Sequence, residues 1–249
     1  MKPDSPKPGA SAQSREDSSD RSGESLQSRL PNPIRPETVA YLNRHLVQLT
    51  DQAFADASAR SGPHLACRPG CTQCCHGAFA IHALDAWRLR TGMAELAERN
   101  PERAQAVRER AERYIGEYGH SFPGDPITGI LGTSDEEQEA FEEFANKAAC
   151  PALDPATGLC DLYDARPMTC RVFGPPVRSL ALNPEESEDE GLAVCELCFT
   201  HATEEEILAA ELHPPRDEEQ TLLEAISEAV EKTSQTTPGS ETIVAWCLI

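Results

Sequence analysis

Four cysteines lie within nine residues in the first half of the chain: Cys67, Cys71, Cys74 and Cys75. Thiolate sulfur binds both zinc and iron–sulfur clusters, and a C-x2-C turn brings two sulfurs to one ion at about 2.3 Å. Gly70 and Gly77 flank the last three of these cysteines and permit the tight backbone turns that such loops require. The spacing therefore predicts a metal-binding loop.

Five further cysteines follow in the second half of the chain: Cys150, Cys160, Cys170, Cys195 and Cys198. The last two form another C-x2-C pair. Pro151 directly after Cys150 is similar to the Cys-Pro that ends bacterial ferredoxin motifs, and proline stiffens that corner of the backbone. We predict that these five cysteines converge with the first four as metal ligands.

The number and order of the thiols bear on which metal they bind. Because Cys74 and Cys75 are adjacent, their side chains point in different directions, and both can bind one zinc ion only with strain. An iron–sulfur cluster, expected as [4Fe–4S], or two separate sites could use both, and zinc remains the alternative. Disulfides are a further alternative for the nine cysteines. Cys247 stands alone and is predicted to be a small buried hydrophobe, and His76 a hydrogen-bond donor beside the site or a surface group.

Three arginines lie close to the cysteines in sequence: Arg68, Arg166 and Arg171. Four thiolates around Zn²⁺ or a [4Fe–4S]²⁺ core leave a net charge of about −2, which a guanidinium would offset. We predict that Arg166 and Arg171 help to bind the cofactor. The alternative for Arg166 is an ordinary ion pair with Asp161 or Asp164.

Taken in order, these residues resemble the CxxCxxCC, or YkgJ-type, family of cysteine-cluster proteins, described as zinc- or iron-chelating. The matching residues are Cys67, Cys71, Cys74, Cys75, Cys150, Pro151, Leu153, Asp154, Gly158, Cys160, Tyr163, Arg166, Pro167, Cys170, Arg171 and Phe173. The resemblance spans residues 64–200 and implies metal chelation. One branch of the family is similar to flagellin lysine N-methylases, which implies a cluster-dependent protein methylase as an alternative.

The charge balance limits the classes of partner. The chain has 42 acidic and 22 basic residues, a formal charge of −20, and all of the excess lies in residues 132–249. Nucleic acid and anionic membrane would repel such a surface, so we predict a metal ion and a basic protein as partners. No apolar run reaches the roughly 20 residues of a membrane span, and the N-terminus lacks the apolar stretch of a signal peptide. These features predict a cytoplasmic protein.

Apolar spacing and capping residues predict a mainly α fold, with helices packed around an irregular, cysteine-rich metal-binding centre. The predicted helices begin at Pro36, Ala83, Asn100, Ser134, Thr203 and Asp217, and the one from Ser134 is expected to end near Ala149. The core is expected to be thin, because 32 residues are alanine and only 5% are aromatic.

Three segments follow from composition: a disordered tail at residues 1–32, a helical cysteine-cluster domain at 33–235 with its motif region at 64–200, and a C-terminal tail at 236–249. The apolar stretch 242–249 is expected to form a short strand. No internal repeat is expected. The predicted function is metal binding, structural or redox, and the alternatives are the methylase-like enzyme and a non-catalytic zinc-knot interaction protein.

Overall fold

The computed structural model of the chain describes residues 36–178, 192–230 and 240–249. The predicted disordered tail at residues 1–32 and the acidic run 185–190 lie outside the described residues. The mainly α fold is confirmed. The helices of the described ranges are α1 (Pro36–Ser61), α2 (Ala83–Arg99), α3 (Pro101–Tyr118), α4 (Asp135–Glu143), α5 (Met168–Val172), α6 (Glu204–Ala209) and α7 (Arg216–Val230). None of these helices is long and apolar enough to cross a membrane.

Three pairs of short antiparallel strands lie between the helices. Their strands are β1 (Gly124–Asp125) with β2 (Ile130–Leu131), β3 (Leu153–Asp154) with β4 (Leu159–Cys160), and β5 (Val177–Arg178) with β6 (Leu192–Ala193). Each strand has only two residues. The regions between the helices are therefore held by turns and side chains rather than by an extended sheet.

Three helix starts follow the local capping rules that the sequence predicts. The Asn100 side chain accepts the backbone N–H of Arg103 at 3.1 Å and begins α3. Ser134 forms a complete capping box at α4, and Thr203 forms one at α6. Caps of this kind stabilise a helix by about 1 kcal/mol, so these helices begin where their own sequence directs.

Two helix ends differ from the sequence-based expectation. The helix α4 ends at Glu143, not near Ala149, because the chain turns there and Ala145 adopts a positive φ of 51°. The helix that begins at Thr203 is expected from the sequence to end at Pro214-Pro215, but α6 ends at Ala209. Arg60 at the end of α1 donates to the carbonyl oxygens of Ala209 at 3.0 Å and Glu211 at 2.7 Å, which satisfies groups that a longer helix would have bonded internally.

The main core lies between α2, α3 and the C-terminal segment. Residues 243–248 are buried, and the predicted strand there is wrong, because Val244–Cys247 forms a 3-10 helix. Thr242 pairs with Ile81 through two backbone hydrogen bonds at 2.8 and 2.9 Å, and the Glu241 carbonyl oxygen accepts the N–H of Leu131 at 2.9 Å. The apolar segment is enclosed by helices on several sides, which removes the need for a sheet to bury it.

A sequence repeat links two of the hairpins, so the expectation of no internal repeat is wrong. Residues 125–131 read D-P-I-T-G-I-L and residues 154–160 read D-P-A-T-G-L-C. We call the first, β1–β2, the tryptophan hairpin, because Trp246 donates its indole N–H to the Pro126 carbonyl oxygen at 3.0 Å. The second, β3–β4, is the cysteine hairpin, because its last strand contains Cys160.

Candidate metal centre

All ten cysteines lie in the described residues, and all are free thiols, so the disulfide alternative does not apply to this structure. Cys247 is buried in the main core and donates to the Ile243 carbonyl oxygen at 3.7 Å, as expected for a small hydrophobe. The other nine fall into two neighbourhoods. We call them the four-thiol group, consisting of Cys67, Cys71, Cys195 and Cys198, and the five-thiol group, consisting of Cys74, Cys75, Cys150, Cys160 and Cys170.

The four-thiol group joins the start of the cysteine loop to the C-x2-C turn. The backbone N–H of Phe199 donates to the His64 carbonyl oxygen at 2.9 Å, and the N–H of Ala66 donates to the Cys198 sulfur at 3.4 Å. Burial, together with the nearby thiols Cys198, Cys71 and Cys195, raises the pKa of Cys67 to about 12. Four sulfurs from two distant segments are therefore neighbours.

The five-thiol group is assembled by backbone pairing. The N–H of Cys150 donates to the Cys75 carbonyl oxygen at 2.7 Å, next to an antiparallel bridge between His76 and Ala149. Leu153 pairs with Cys160 in the cysteine hairpin, which brings Cys160 back beside Cys150. Cys170 lies on α5, and burial followed by the thiols Cys150, Cys74 and Cys160 raises its pKa well above the ordinary value.

Within the five-thiol group the vicinal cysteines behave differently. A hydrogen bond between their thiols is the largest cause that lowers the pKa of Cys74 and raises that of Cys75. Arg166 and His76 lower the pKa of Cys74 further. Burial raises the pKa of Cys150 to about 12, against the backbone N–H groups of Ala152 and Leu153, which favour its thiolate. Backbone N–H groups that donate to the sulfur stabilise its thiolate form, which is the form that binds a metal.

The sulfurs are neighbours rather than a finished coordination shell. In the described part of the chain, no group of three or more His, Cys, Asp or Glu side chains is arranged to hold a metal ion as it stands. Burial raises the pKa of Cys67, Cys150 and Cys170, and thiols must lose their protons to bind a metal. The donor set nevertheless has the chemistry that zinc and iron–sulfur clusters need, because each group offers at least four sulfurs.

The CxxCxxCC family model, described as "Putative zinc- or iron-chelating domain", matches residues 66–199, which is more than half of the chain. The chain belongs to the CxxCxxCC family. No curated protein and no solved structure matches it. The matched residues contain all nine clustered cysteines and exclude Cys247.

Of the two predicted arginines of this CxxCxxCC domain, Arg166 is beside the five-thiol group. Its charge lowers the pKa of both Cys74 and Cys160, after the larger effects of hydrogen bonding and burial. Its guanidinium lies 3.8 Å from the centre of the Tyr163 ring and donates to the Tyr163 carbonyl oxygen. Among the described residues, the ion-pair partner of Arg166 is neither Asp161 nor Asp164 but Asp51 on α1, at 3.8 Å. Asp161 binds Arg103 and Arg110 instead.

The other predicted arginine, Arg171, faces the helix α1. It donates to the Asp51 carboxylate at 3.0 and 3.2 Å and to the Asp164 carbonyl oxygen. Its guanidinium is buried, and Nε has no hydrogen-bond partner in the structure. A buried N–H without a partner can donate a hydrogen bond to an acceptor that binds nearby.

Two positioning residues in the domain were missed by sequence reasoning. Asp85 on α2 accepts the N–H of Met168 at 3.0 Å and so caps α5, the helix that carries Cys170. Arg88, one turn later on α2, forms an ion pair with Asp85. Arg110 on α3 donates to the Pro151 carbonyl oxygen at 2.8 Å and pairs with Asp161, next to Cys160. The i, i+3 spacing of Asp85 and Arg88 was the available signal.

Proposed function

We propose that this protein is a metal-binding protein whose clustered cysteines chelate an iron–sulfur cluster or zinc, with a structural or redox role. The observation that supports it most directly is the pairing of Cys75 with Cys150. This backbone contact brings the first group of cysteines in the sequence next to the second, although Cys75 and Cys150 are 75 positions apart. A chain has little reason to gather so many thiols unless they have a shared ligand.

The fold gives such a ligand a structural task. Between residues 150 and 200 the described chain has only two-residue strands, a 3-10 turn and the five-residue helix α5. An isolated two-stranded hairpin is at best marginally stable in water, so such a region needs further contacts to hold it together. A bound metal would cross-link these turns to the loop at residues 67–75, and its binding free energy would then be folding free energy.

The two metals would supply different chemistry. Zinc bound by four thiolates would act as a structural cross-link, whereas an iron–sulfur cluster would also carry one electron. Two features support a cluster in the five-thiol group: the Cys150-Pro151 corner, and Arg166 next to Cys74 and Cys160. A positive charge there would offset the thiolates that surround the cluster.

Anaerobic purification of the full chain followed by iron, sulfide and zinc analysis with an absorption spectrum tests the proposal. We expect stoichiometric zinc or iron with sulfide in the wild type. Cys71→Ser and Cys170→Ser should each lose metal, whereas the matched control Cys247→Ser should keep it, because Cys247 lies in the hydrophobic core. A wild-type protein with neither metal in stoichiometric amount would contradict the proposed function.

The methylase-like enzyme, the zinc-knot interaction protein, the basic protein partner and the cytoplasmic location stay predictions from the sequence. The first is tested by methyl transfer from S-adenosylmethionine to a lysine-rich protein with the metal-loaded chain. The second and third are tested by neutralising the acidic run 185–190: a loss of partner binding with unchanged metal content would favour them.

A further inference from the structure

We infer that the nine clustered cysteines form two separate metal centres, with the four-thiol group as a mononuclear centre and the five-thiol group as a second, independent one. This inference rests on the proposed function and deepens it. It divides the CxxCxxCC sequence run between the two centres, with Cys71 on one side and Cys74 and Cys75 on the other. The three-residue 3-10 turn Gln73–Cys75 lies at the division.

The two groups lie against different parts of the hydrophobic interior. Cys195 and Cys198 are buried in a small cluster with Phe199 and Ala210, against which Leu65, Ala66 and Cys67 pack. Cys150 and Cys160 instead pack against the main core formed by α2, α3 and the C-terminal segment. Because packed interiors are rigid, thiols anchored in different clusters cannot easily converge on one ion.

The backbone contacts divide in the same way. In the four-thiol group, the contacts run between residues 64–66 and residues 198–199. In the five-thiol group, they run between residues 75–77 and residues 148–150, and then across the cysteine hairpin. Each group therefore has its own pair of crossing segments, and each pair would hold its sulfurs without the other.

The donor count of each group matches a complete centre. The four-thiol group consists of a C-x3-C pair and a C-x2-C pair, which together supply the four thiolates of a tetrahedral ion. The five-thiol group has one thiol more than a four-ligand centre needs. Since Cys74 and Cys75 are adjacent and share a hydrogen bond, one of them would ligate with Cys150, Cys160 and Cys170, and the other would remain a thiol.

A backbone glycine supplies a test of the four-thiol group that changes no cysteine. Gly174 has a φ of +127°, and a Cβ added there would lie 2.6 Å from the Cys67 sulfur. The Cys67 thiol also points toward the carbonyl oxygen of the preceding Phe173, at 4.0 Å. Gly174→Ala should therefore displace one ligand of the four-thiol centre and leave the five-thiol group unchanged.

Titration of the reduced, metal-free full chain with Co²⁺ under anaerobic conditions tests the inference, because tetrahedral cobalt thiolates have strong visible absorption. We expect the wild type and Cys247→Ser to bind two equivalents with that spectrum. Cys198→Ser and Gly174→Ala should each bind one, through the five-thiol group. Cys170→Ser should also bind one, through the four-thiol group, and circular dichroism reports whether it remains helical.

The outcomes separate this inference from the proposed function. Two results would overturn the two-centre inference and leave metal binding intact. One is a wild type that binds a single equivalent of Co²⁺. The other is a complete loss of Co²⁺ binding in both Cys198→Ser and Cys170→Ser when each variant is folded. A folded wild type that binds no Co²⁺, zinc or iron would overturn both. The wild-type stoichiometry decides even if one cysteine variant fails to fold.

Discussion

The tryptophan hairpin and the cysteine hairpin have the same turn. In both, the aspartate accepts a backbone N–H two residues later, from Ile127 at 2.9 Å and from Ala156 at 3.0 Å. In both, the aspartate also accepts the threonine hydroxyl, at 2.8 and 2.7 Å, and the glycine has a φ near +70°. The sequence D-P-x-T-G therefore specifies this turn locally.

What packs against each turn differs. The tryptophan hairpin is covered by the Trp246 ring and is part of an aromatic cluster with Phe122 and Phe144. The cysteine hairpin instead leads directly into Cys160 and Asp161, which α3 holds through Arg110. The same turn thus packs against aromatic side chains in the tryptophan hairpin and positions a candidate metal ligand in the cysteine hairpin. The residues around each turn determine what it does.

The largest difference between the hairpins is expected on substitution of the turn glycines. Gly129→Ala would place a Cβ in steric clash with Cβ, Cγ and Cδ1 of Trp246, whereas the nearest atom to a Cβ at Gly158 is Thr72 Cγ2 at 3.6 Å. A positive φ costs alanine about 1–2 kcal/mol at either site, and overpacking adds about 1–3 kcal/mol at Gly129 alone. Denaturant midpoints of the two metal-loaded variants should show Gly129→Ala to be much the less stable. Equal losses in the two variants would contradict the packing difference.

The second expected effect is confined to the cysteine hairpin. Arg110→Ala removes one of the two arginines that pair with Asp161, the other being Arg103, and also the donor to the Pro151 carbonyl oxygen. We expect this to cost about 2 kcal/mol and to loosen Cys150 and Cys160. We expect about a tenfold loss of metal affinity, measured by competition with a chelator. Arg113→Ala is the matched control, because Arg113 is exposed on the same helix. Metal affinity equal in both variants would show that Arg110 does not position the ligands.

The matching change in the tryptophan hairpin should leave the metal in place. Trp246→Phe removes the N–H that the Pro126 carbonyl oxygen accepts and keeps an aromatic ring in the core, so we expect a loss of about 1 kcal/mol. Thermal unfolding measures that loss, and metal analysis should show an unchanged content. A loss of metal affinity comparable to that of Arg110→Ala, measured by the same competition with a chelator, would mean that the two hairpins are coupled.

The parts of the fold that the sequence predicts well are those that neighbouring residues determine. Asn100, Ser134 and Thr203 begin helices through contacts within three residues, so their signals are local. The two hairpins that share the sequence D-P-x-T-G have an equally local signal, which lies within only seven residues.

The parts that could not be predicted depend on contacts between distant segments. The run 242–249 has the apolar character of a buried strand, but it packs against α2 and α3, and Val244–Cys247 forms a 3-10 helix there. The division of the cysteines into two groups is likewise invisible in their spacing, because it depends on the pairing of Cys75 with Cys150. The cysteine positions identify ligands, whereas the fold determines which of them are neighbours.

The smallest expected effect concerns the aspartates that the hairpins share. The N–H of Ile127 and then the Thr128 hydroxyl lower the pKa of Asp125, and the Thr157 hydroxyl and then the N–H of Ala156 lower the pKa of Asp154. Because each folded pKa lies below the unfolded value of about 3.9, each carboxylate stabilises the fold fully above that value. That contribution is lost as the pH falls through the lower, folded pKa.

Replacing one aspartate at a time separates the loss of its charge from the release of metal, because both destabilise the fold as the pH falls. Asp125→Asn and Asp154→Asn keep the shape and an acceptor but remove the charge. The stability difference between wild type and each variant should therefore be constant from neutral pH to about pH 5 and shrink below about pH 4.

Metal release at low pH destabilises the wild type and both variants. Its effect largely cancels in the comparison of wild type with Asp125→Asn, since the tryptophan hairpin carries no cysteine. For Asp154→Asn the difference should also include a loss of metal affinity above pH 5, because its turn leads into Cys160. A pH-independent difference for Asp125→Asn would show that the shared turn does not depend on the carboxylate charge.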